Sequence, residues 1–195
     1  LNSLWSQIYR AEMLKNIKSF KYNMVFAEDF LVNLDIHQRT KKMLILDRAL
    51  YHYCDNPNST FNISDSARII RNIRDRIFAS RKASEYVSKN IKSKDLKYEA
   101  FYVQLKAVRD LLLSLRKIEN YSKRQFVEDF RNTFGENKFF MVDVKELNHY
   151  IGALNFPERI KNKGFLYAIL KLDYDYMWRY ICWYKILRKI LRRGK

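Results

Sequence analysis

The chain has 195 residues, 48% of them apolar, with 13 Phe, 14 Tyr and 3 Trp, enough to bury a core and to exclude wholesale disorder. Only 4 Gly and 2 Pro occur, which argues against a β-sandwich, a collagen-like chain or an early glycine-rich phosphate loop and favours long helices. Lys and Arg number 38 against 21 Asp and Glu, a net charge of +17 that asks for an anionic partner or a solvated basic surface.

Taken in chain order, Leu4 to Arg10 alternates loosely and is compatible with a strand, and Ala11 to Phe20 reads as a short helix through Met13, Leu14 and Ile17. Glu28 and Asp29 open a helical run through Phe30, Leu31, Leu34 and Ile36. Lys42 to Leu46 and Ala49 to Tyr53 read as two short strands, and Asp55-Asn56-Pro57-Asn58-Ser59 is a dense turn signal that marks a boundary. From Ser64 the helical period dominates: a cap at Ser64, Asp65 or Ser66 precedes a face of Ile69, Ile70, Ile73 and Ile77. Further helices are predicted over Leu96 to Ile118, Ser122 to Phe134 with Gly135 as the stop, and Val142 to Leu154 before Pro157. No internal repeat is visible. The expected organisation is therefore mainly α with a small α/β front part: segment 1–60, a helical region 61–175, and a basic terminal helix 176–195.

Cysteine usage and hydropathy narrow the class further. Cys54 and Cys182 lie far apart with no C-x-x-C pair and no Cys/His cluster, so neither a disulfide framework nor a structural metal is indicated, and a reducing compartment is expected. No run of 18 uncharged apolar residues is present, and Leu1 to Arg10 lacks the layout of a secretory signal. The charge is unevenly spread: net +2 over residues 1–60, +8 over 61–134, zero over 135–175 and +7 over 176–195.

The front segment carries an ordered set of motifs: Leu4-Trp5-Ser6-Gln7-Ile8-Tyr9-Arg10, Ala27-Glu28-Asp29-Phe30-Leu31-Val32-Asn33, Leu50-Tyr51-His52-Tyr53 and Asn56-Pro57-Asn58-Ser59. In order and spacing it resembles the acceptor-side half of the bacterial family 2 glycosyltransferases of the GT-A fold, over about residues 4–60. The resemblance implies inverting transfer of a sugar from a nucleotide-sugar donor to a hydroxyl of a glycan or lipid-linked acceptor, in cell-surface polysaccharide synthesis at the inner, cytoplasmic face of the membrane. It assigns Asp29 as general base and Glu28 as the residue that orients the acceptor, with Trp5 and His52 as substrate-binding candidates. It also implies Mg²⁺ or Mn²⁺ at an Asp-x-Asp motif in a nucleotide-binding half that these residues do not contain, so no cofactor or metal is expected in this chain itself. Because that half is missing, the chain, which starts at Leu1 rather than Met, is expected to be a piece of a longer enzyme and silent in sugar transfer alone. Ala27 stands where the family often carries Gly, Ser6-Gln7 replaces its usual Asn-Lys, and Cys54 replaces a frequent Arg. Asp173-Tyr174-Asp175 spells Asp-x-Asp, but its place before a basic helix suits a cap or a counter-charge.

Judged one at a time, each of these residues also has a plain structural reading. Acidic residues are common in first helical turns, a lone Trp in a strand is as often core as a sugar platform, and a single His is usually structural. His37 and His149 have no partner at ligand spacing and are assigned no chemistry.

The last segment is amphipathic. Trp183, Ile186, Leu187, Ile190 and Leu191 fill one arc of about 140°, while Lys185, Arg188, Lys189, Arg192 and Arg193 fill the other. With Trp178, Tyr180 and Tyr184 this suits an in-plane helix on an anionic membrane, each cation near the surface adding about 1 kcal/mol. The competing reading is a core-packed terminal helix with a solvated basic face. A rival function is a non-enzymatic basic helical module that binds nucleic acid or an anionic membrane. Nucleic acid is disfavoured, because Arg68, Arg71, Arg74, Arg76, Arg81 and Lys82 alternate with apolar residues like a solvated helix face and no DNA- or RNA-binding motif is present. A homo-oligomeric scaffold built on the helices is compatible with the enzyme reading.

Overall fold

The computed structural model describes residues 7–44, 48, 52, 54, 65–135, 144–153, 163–165, 167–169 and 171–193. The chain is mainly helical, and no strand occurs among the described residues. It divides into two compact units, Leu1–Ile63 and Ser64–Lys195.

In the first unit the helix expected at the Glu-Asp pair is present as α1 (Glu28–His37). It buries Leu31, Val32, Asn33 and Ile36 and is overlaid by the segment that precedes it in sequence. That segment is not the single helix expected over Ala11 to Phe20. It forms two 3₁₀ turns, Ala11–Leu14 and Lys18–Lys21, interrupted where Asn16 takes a left-handed φ of 59° that no α-helix can continue through. Ile17 packs on Val32 and Ile36 with Tyr9 and Met13 at the edge. Two polar clamps fix the overlay: Asp35 Oδ2 accepts from the Ser19 backbone N–H (2.8 Å) and hydroxyl (2.7 Å), and the Arg39 guanidinium donates to the carbonyls of Lys15 (2.9 Å) and Met13 (3.0 Å).

The strands expected in this unit are not found where it is described. Residues 7–10 are irregular, because Gln7 and Tyr9 bond sideways to an α1 side chain instead of to a neighbouring strand. Residues 42–44, 48 and 52 are irregular too, and the rest of the two expected strands lies outside the described residues.

α1 begins without a side-chain cap. Ala27 occupies the N-cap position at φ 61°, ψ 15°, a left-handed conformation that costs a residue with a Cβ about 1–2 kcal/mol. Ala27→Gly removes that cost and gives back part of it through the freer unfolded chain. The expected result is a net gain of about 0.5–1 kcal/mol, read from urea denaturation of this unit's transition.

The second unit is built on α2 (Ser66–Asn90), α3 (Lys94–Leu112), a 3₁₀ extension Leu113–Lys117, α4 (Lys123–Gly135), α5 (Val144–Ala153) and α6 (Tyr174–Arg193), with further helical residues at 163–165 and 167–169. Asp65 caps α2 by accepting from the Ala67 and Arg68 N–H groups at 3.3 and 3.2 Å. Ser93 caps α3 through the Leu96 N–H. Asp65→Ala is expected to cost about 1 kcal/mol, the usual value of a lost cap, in the thermal unfolding of this unit.

Of the Ile69/Ile70/Ile73/Ile77 face predicted for α2, Ile69, Ile73 and Ile77 are buried, together with Phe101, Leu105, Val108 and Leu112 of α3, and Ile70 is half-buried against the same core. α2 and α3 run antiparallel: Ser80 Oγ and Arg76 Nη2 donate to Gln104 Oε1 (3.1 and 3.2 Å), and Lys97 Nζ reaches the Ser88 carbonyl (3.3 Å). Small buried residues on α2, namely Ala79, Ser80, Ala83 and Ser84, permit the close approach. This corrects the solvated-face reading of the α2 arginines. Arg68, Arg71 and Arg74 are exposed, but Arg76 and Arg81 are half-buried, and burial holds the Arg76 guanidinium below its ordinary pKa.

Phe126, Phe130 and Phe134 recur every fourth residue on α4 and are all fully buried. α6 completes the core with Met177 and Ile181, and Trp178 packs its ring 5.8 Å from that of Phe126 and 6.0 Å from that of Tyr121. Asp129 ties α2 to α4. Its carbonyl accepts from Arg74 Nε (3.1 Å) and Nη2 (2.9 Å), and its carboxylate from Arg74 Nη2 (3.2 Å) and the Tyr121 hydroxyl (2.7 Å).

The Tyr121 phenol is raised well above its ordinary value of 10.0, first by burial and then by the hydrogen bond to Asp129 and that carboxylate's charge, with Arg74 opposing. A raised folded-state pKa means the native state holds its proton longer than the unfolded chain. Its stabilisation is therefore complete below pH 10 and is lost as pH climbs towards the folded value. Tyr150 and Tyr174 are shifted the same way, chiefly by burial. Alkaline unfolding is expected to set in above about pH 10, with Tyr121→Phe flattening the fall of stability with pH. Denaturation midpoints measured between pH 8 and 11 test this, and parallel curves for the two proteins would contradict it.

Candidate functional site

The Glu-Asp pair sits in the first turn of α1, Glu28 exposed and Asp29 half-buried. With no capping side chain at Ala27, the positive end of the helix is met by these two carboxylates. Asp29, Asn33 and His37 follow one another at intervals of four and so share one face of the helix.

The overlay covers that face with Gln7 and Tyr9. Asn33 Oδ1 accepts from Gln7 Nε2 (3.2 Å) and from the Tyr9 hydroxyl, and His37 Nε2 pairs with Gln7 Oε1 at 3.3 Å. Tyr9 is close enough to Asp29 to feel it: its phenol pKa is raised by burial and then by the Asp29 charge. Asn33 is 2% exposed, and its Nδ2 donor has no hydrogen-bond partner. A buried amide with its acceptor doubly used and its donor unused is costly, and such costs collect at working sites. The result is a polar strip, Asp29–Tyr9–Asn33–Gln7–His37, along one side of α1.

Of the residues expected to act on substrate, Glu28 and Asp29 are brought together by the helix turn. His52 is exposed, and Trp5 lies outside the described residues. Asn33 and Gln7 carry no role in the sequence-based expectations, and His37 is assigned no chemistry there. The signal available for Asn33 and His37 was their spacing of four from Asp29, three polar residues on one face of a short helix; no local signal marks Gln7. Among the described residues, no group of three or more His, Cys, Asp or Glu side chains converges to hold a metal ion.

The Asp-x-Asp triplet at the start of α6 works as a cap and a counter-charge. Asp173 Oδ1 accepts from the Tyr176 N–H (2.8 Å), and Asp175 pairs with Lys123 Nζ (2.7 Å). The aromatics assigned to a headgroup interface are partly reassigned: Trp178 and Tyr180 pack against the core, the latter ring 5.4 Å from that of Phe165. Trp183 differs, being 53% exposed. Helix α6 continues to Arg193, and the side chains of Lys185, Arg188, Lys189, Arg192 and Arg193 lie outside the described residues. No helix among the described residues is long and apolar enough to cross a membrane. A cavity of about 640 Å³ lies on α4, lined by Lys123, Arg124, Val127, Glu128, Arg131 and Asn132. Its charges are largely engaged, Arg124 by Glu128 (2.8 Å) and Lys123 by Asp175.

No protein-family model, curated protein or solved structure matches this chain.

Proposed function

We propose that this chain is the acceptor-side part of an inverting glycosyltransferase, with Asp29 as the general base. The observation that carries the reading is the placing of Asp29: half-buried, at the uncapped start of α1, next to the Tyr9 phenol and in line with the polar strip behind it. A neutral hydroxyl is a weak nucleophile. As its oxygen bonds to the anomeric carbon and the bond to the nucleoside diphosphate breaks, its proton passes to the Asp29 carboxylate. Glu28, exposed one residue earlier, is positioned to hold a second hydroxyl of the acceptor. Tyr9 and Asn33 fix the surroundings of Asp29 instead of moving the proton themselves. The reading requires a nucleotide-binding half with a divalent-metal site in addition to these residues, and its acceptor is a glycan or lipid-linked sugar at the inner face of the cell membrane. Saturation-transfer NMR with a panel of bacterial surface oligosaccharides tests it. At least one acceptor class should bind and perturb Tyr9, and a chain that binds no glycan counts against the proposal.

A second reading concerns α6 and is supported by the exposed Trp183, which follows the core residues Met177 and Ile181 and precedes five basic residues in the sequence. It places the end of this helix on an anionic membrane surface. Co-sedimentation with phosphatidylglycerol vesicles is expected, lost in phosphatidylcholine vesicles and weakened severalfold by Trp183→Ala with Arg188→Ala. Equal sedimentation with both lipids would remove this reading.

A further inference from the structure

The outward side of α3 carries an apolar stripe that the core contacts only at Ala100. Leu96 is 57% exposed and Val103 is 48% exposed, seven residues apart, with half-exposed Ala100 and Ala107 between and after them. At about 100° per residue these four fall within an arc of about 60°, in the alternating three- and four-residue spacing of a coiled-coil seam. Leu and Val take one class of seam position and Ala the other.

The charges beside the stripe say what covers it. Glu99 and Lys106 are both exposed, both flank the seam on the same side, and no ion pair among the described residues engages either. When two copies of such a helix pair antiparallel about a two-fold axis near Val103, each large seam residue faces an Ala of its partner. The Glu99 of each copy then faces Lys106 of the other, twice over by symmetry. A parallel pair gives neither match. There Glu99 would face the opposite flank, where Lys97 is tied to the Ser88 carbonyl and Gln104 is buried against α2. The small Ala residues let the two backbones approach closely, which gives the stripe its packing.

We propose that α3 is the self-association surface of this protein, forming an antiparallel two-fold pair with a second copy of the chain through Leu96, Ala100, Val103 and Ala107, with Glu99–Lys106 pairs locking the register. The surface is independent of the sugar-transfer reading. Sedimentation equilibrium of the full chain at about 0.1 M salt tests it, with far-UV circular dichroism on every variant. The unaltered chain should dimerise. Val103→Asp, at an exposed site that leaves the monomer's helix content unchanged, should weaken dimerisation at least about 100-fold. Glu99→Lys alone and Lys106→Glu alone should each weaken it about tenfold, since two attractive pairs become two repulsive ones, and the double swap should recover most of that loss. A chain that stays monomeric at about 100 μM would overturn the proposal. So would a dimer indifferent to Val103→Asp, or a double swap that binds no more tightly than the singles.

Discussion

Phe126→Ala is expected to destabilise the helical unit by about 3–5 kcal/mol, the range for truncating a fully buried aromatic ring. Phe126 has no exposed surface, and its ring contacts those of Phe130 (centroids 5.4 Å apart), Trp178 (5.8 Å) and Tyr174 (6.3 Å). Removing it forfeits the transfer energy of a benzyl group and leaves a hole walled by three other rings. Those rings are held on two helices, so they collapse into the space only in part. A domain of this size has about 5–15 kcal/mol in total, so the urea midpoint should drop steeply at constant m-value. Phe126→Leu keeps most of the volume and should cost less than half as much. Leu96→Ala, at a site 57% exposed, provides the contrast, with an expected change within about 0.5 kcal/mol in the monomer.

The same residues show how far the sequence could be read. Periodic apolar residues on long helices announce themselves: Ile69/Ile73/Ile77 and Phe101/Leu105/Val108/Leu112 face the core, and Asp65 is the cap, while for Ser122 to Phe134 the helix was legible but its Phe126/Phe130/Phe134 core face was not singled out. Gly135 closes the third of these helices. Short segments were harder, because their conformation is decided by what they pack against. Alternation over Leu4 to Arg10 suggested a strand, but residues 7–10 lie irregularly across α1 and spend their hydrogen bonds on its side chains. The run Ala11 to Phe20 has helical spacing, yet Asn16 breaks it, since Asn pays little to enter the left-handed region. Composition also hid the difference between arginines. Arg71 is solvated while Arg76, five residues on, lies against Gln104, a distinction set by the neighbouring helix.

For the site, the Glu28-Asp29 pair and the helix it opens were legible because a carboxylate at a helix start is a local feature. Asn33, Gln7 and His37 were not, because their meeting depends on the overlay folding back across α1 over a sequence distance of 26 and 30 residues. The amphipathic terminal helix was legible as a pattern, and its division was not: Met177 and Ile181 are core, whereas Trp183 faces out.

The general-base role proposed for Asp29 makes the second large prediction. Asn has the shape of Asp and can hold a hydroxyl, but it cannot take the proton. Asp29→Asn should therefore leave acceptor binding nearly unchanged and lower the transfer step by about 10²–10⁴-fold. Tyr9→Phe, which keeps the ring that covers α1 and removes the hydroxyl beside Asp29, should act through positioning with a smaller loss. A purely structural Asp29 predicts the opposite pattern, with lowered stability and no selective loss of kcat.

The most direct measurement is the steady-state kinetics of sugar transfer from nucleotide-sugar to glycan acceptor, in the protein as the cell makes it, comparing Asp29 with Asp29→Asn at equal folded concentration. The account predicts a kcat lower by about 10²–10⁴-fold with acceptor KM within about twofold. A variant that transfers sugar at the unaltered rate, or one whose loss lies wholly in KM, would contradict it.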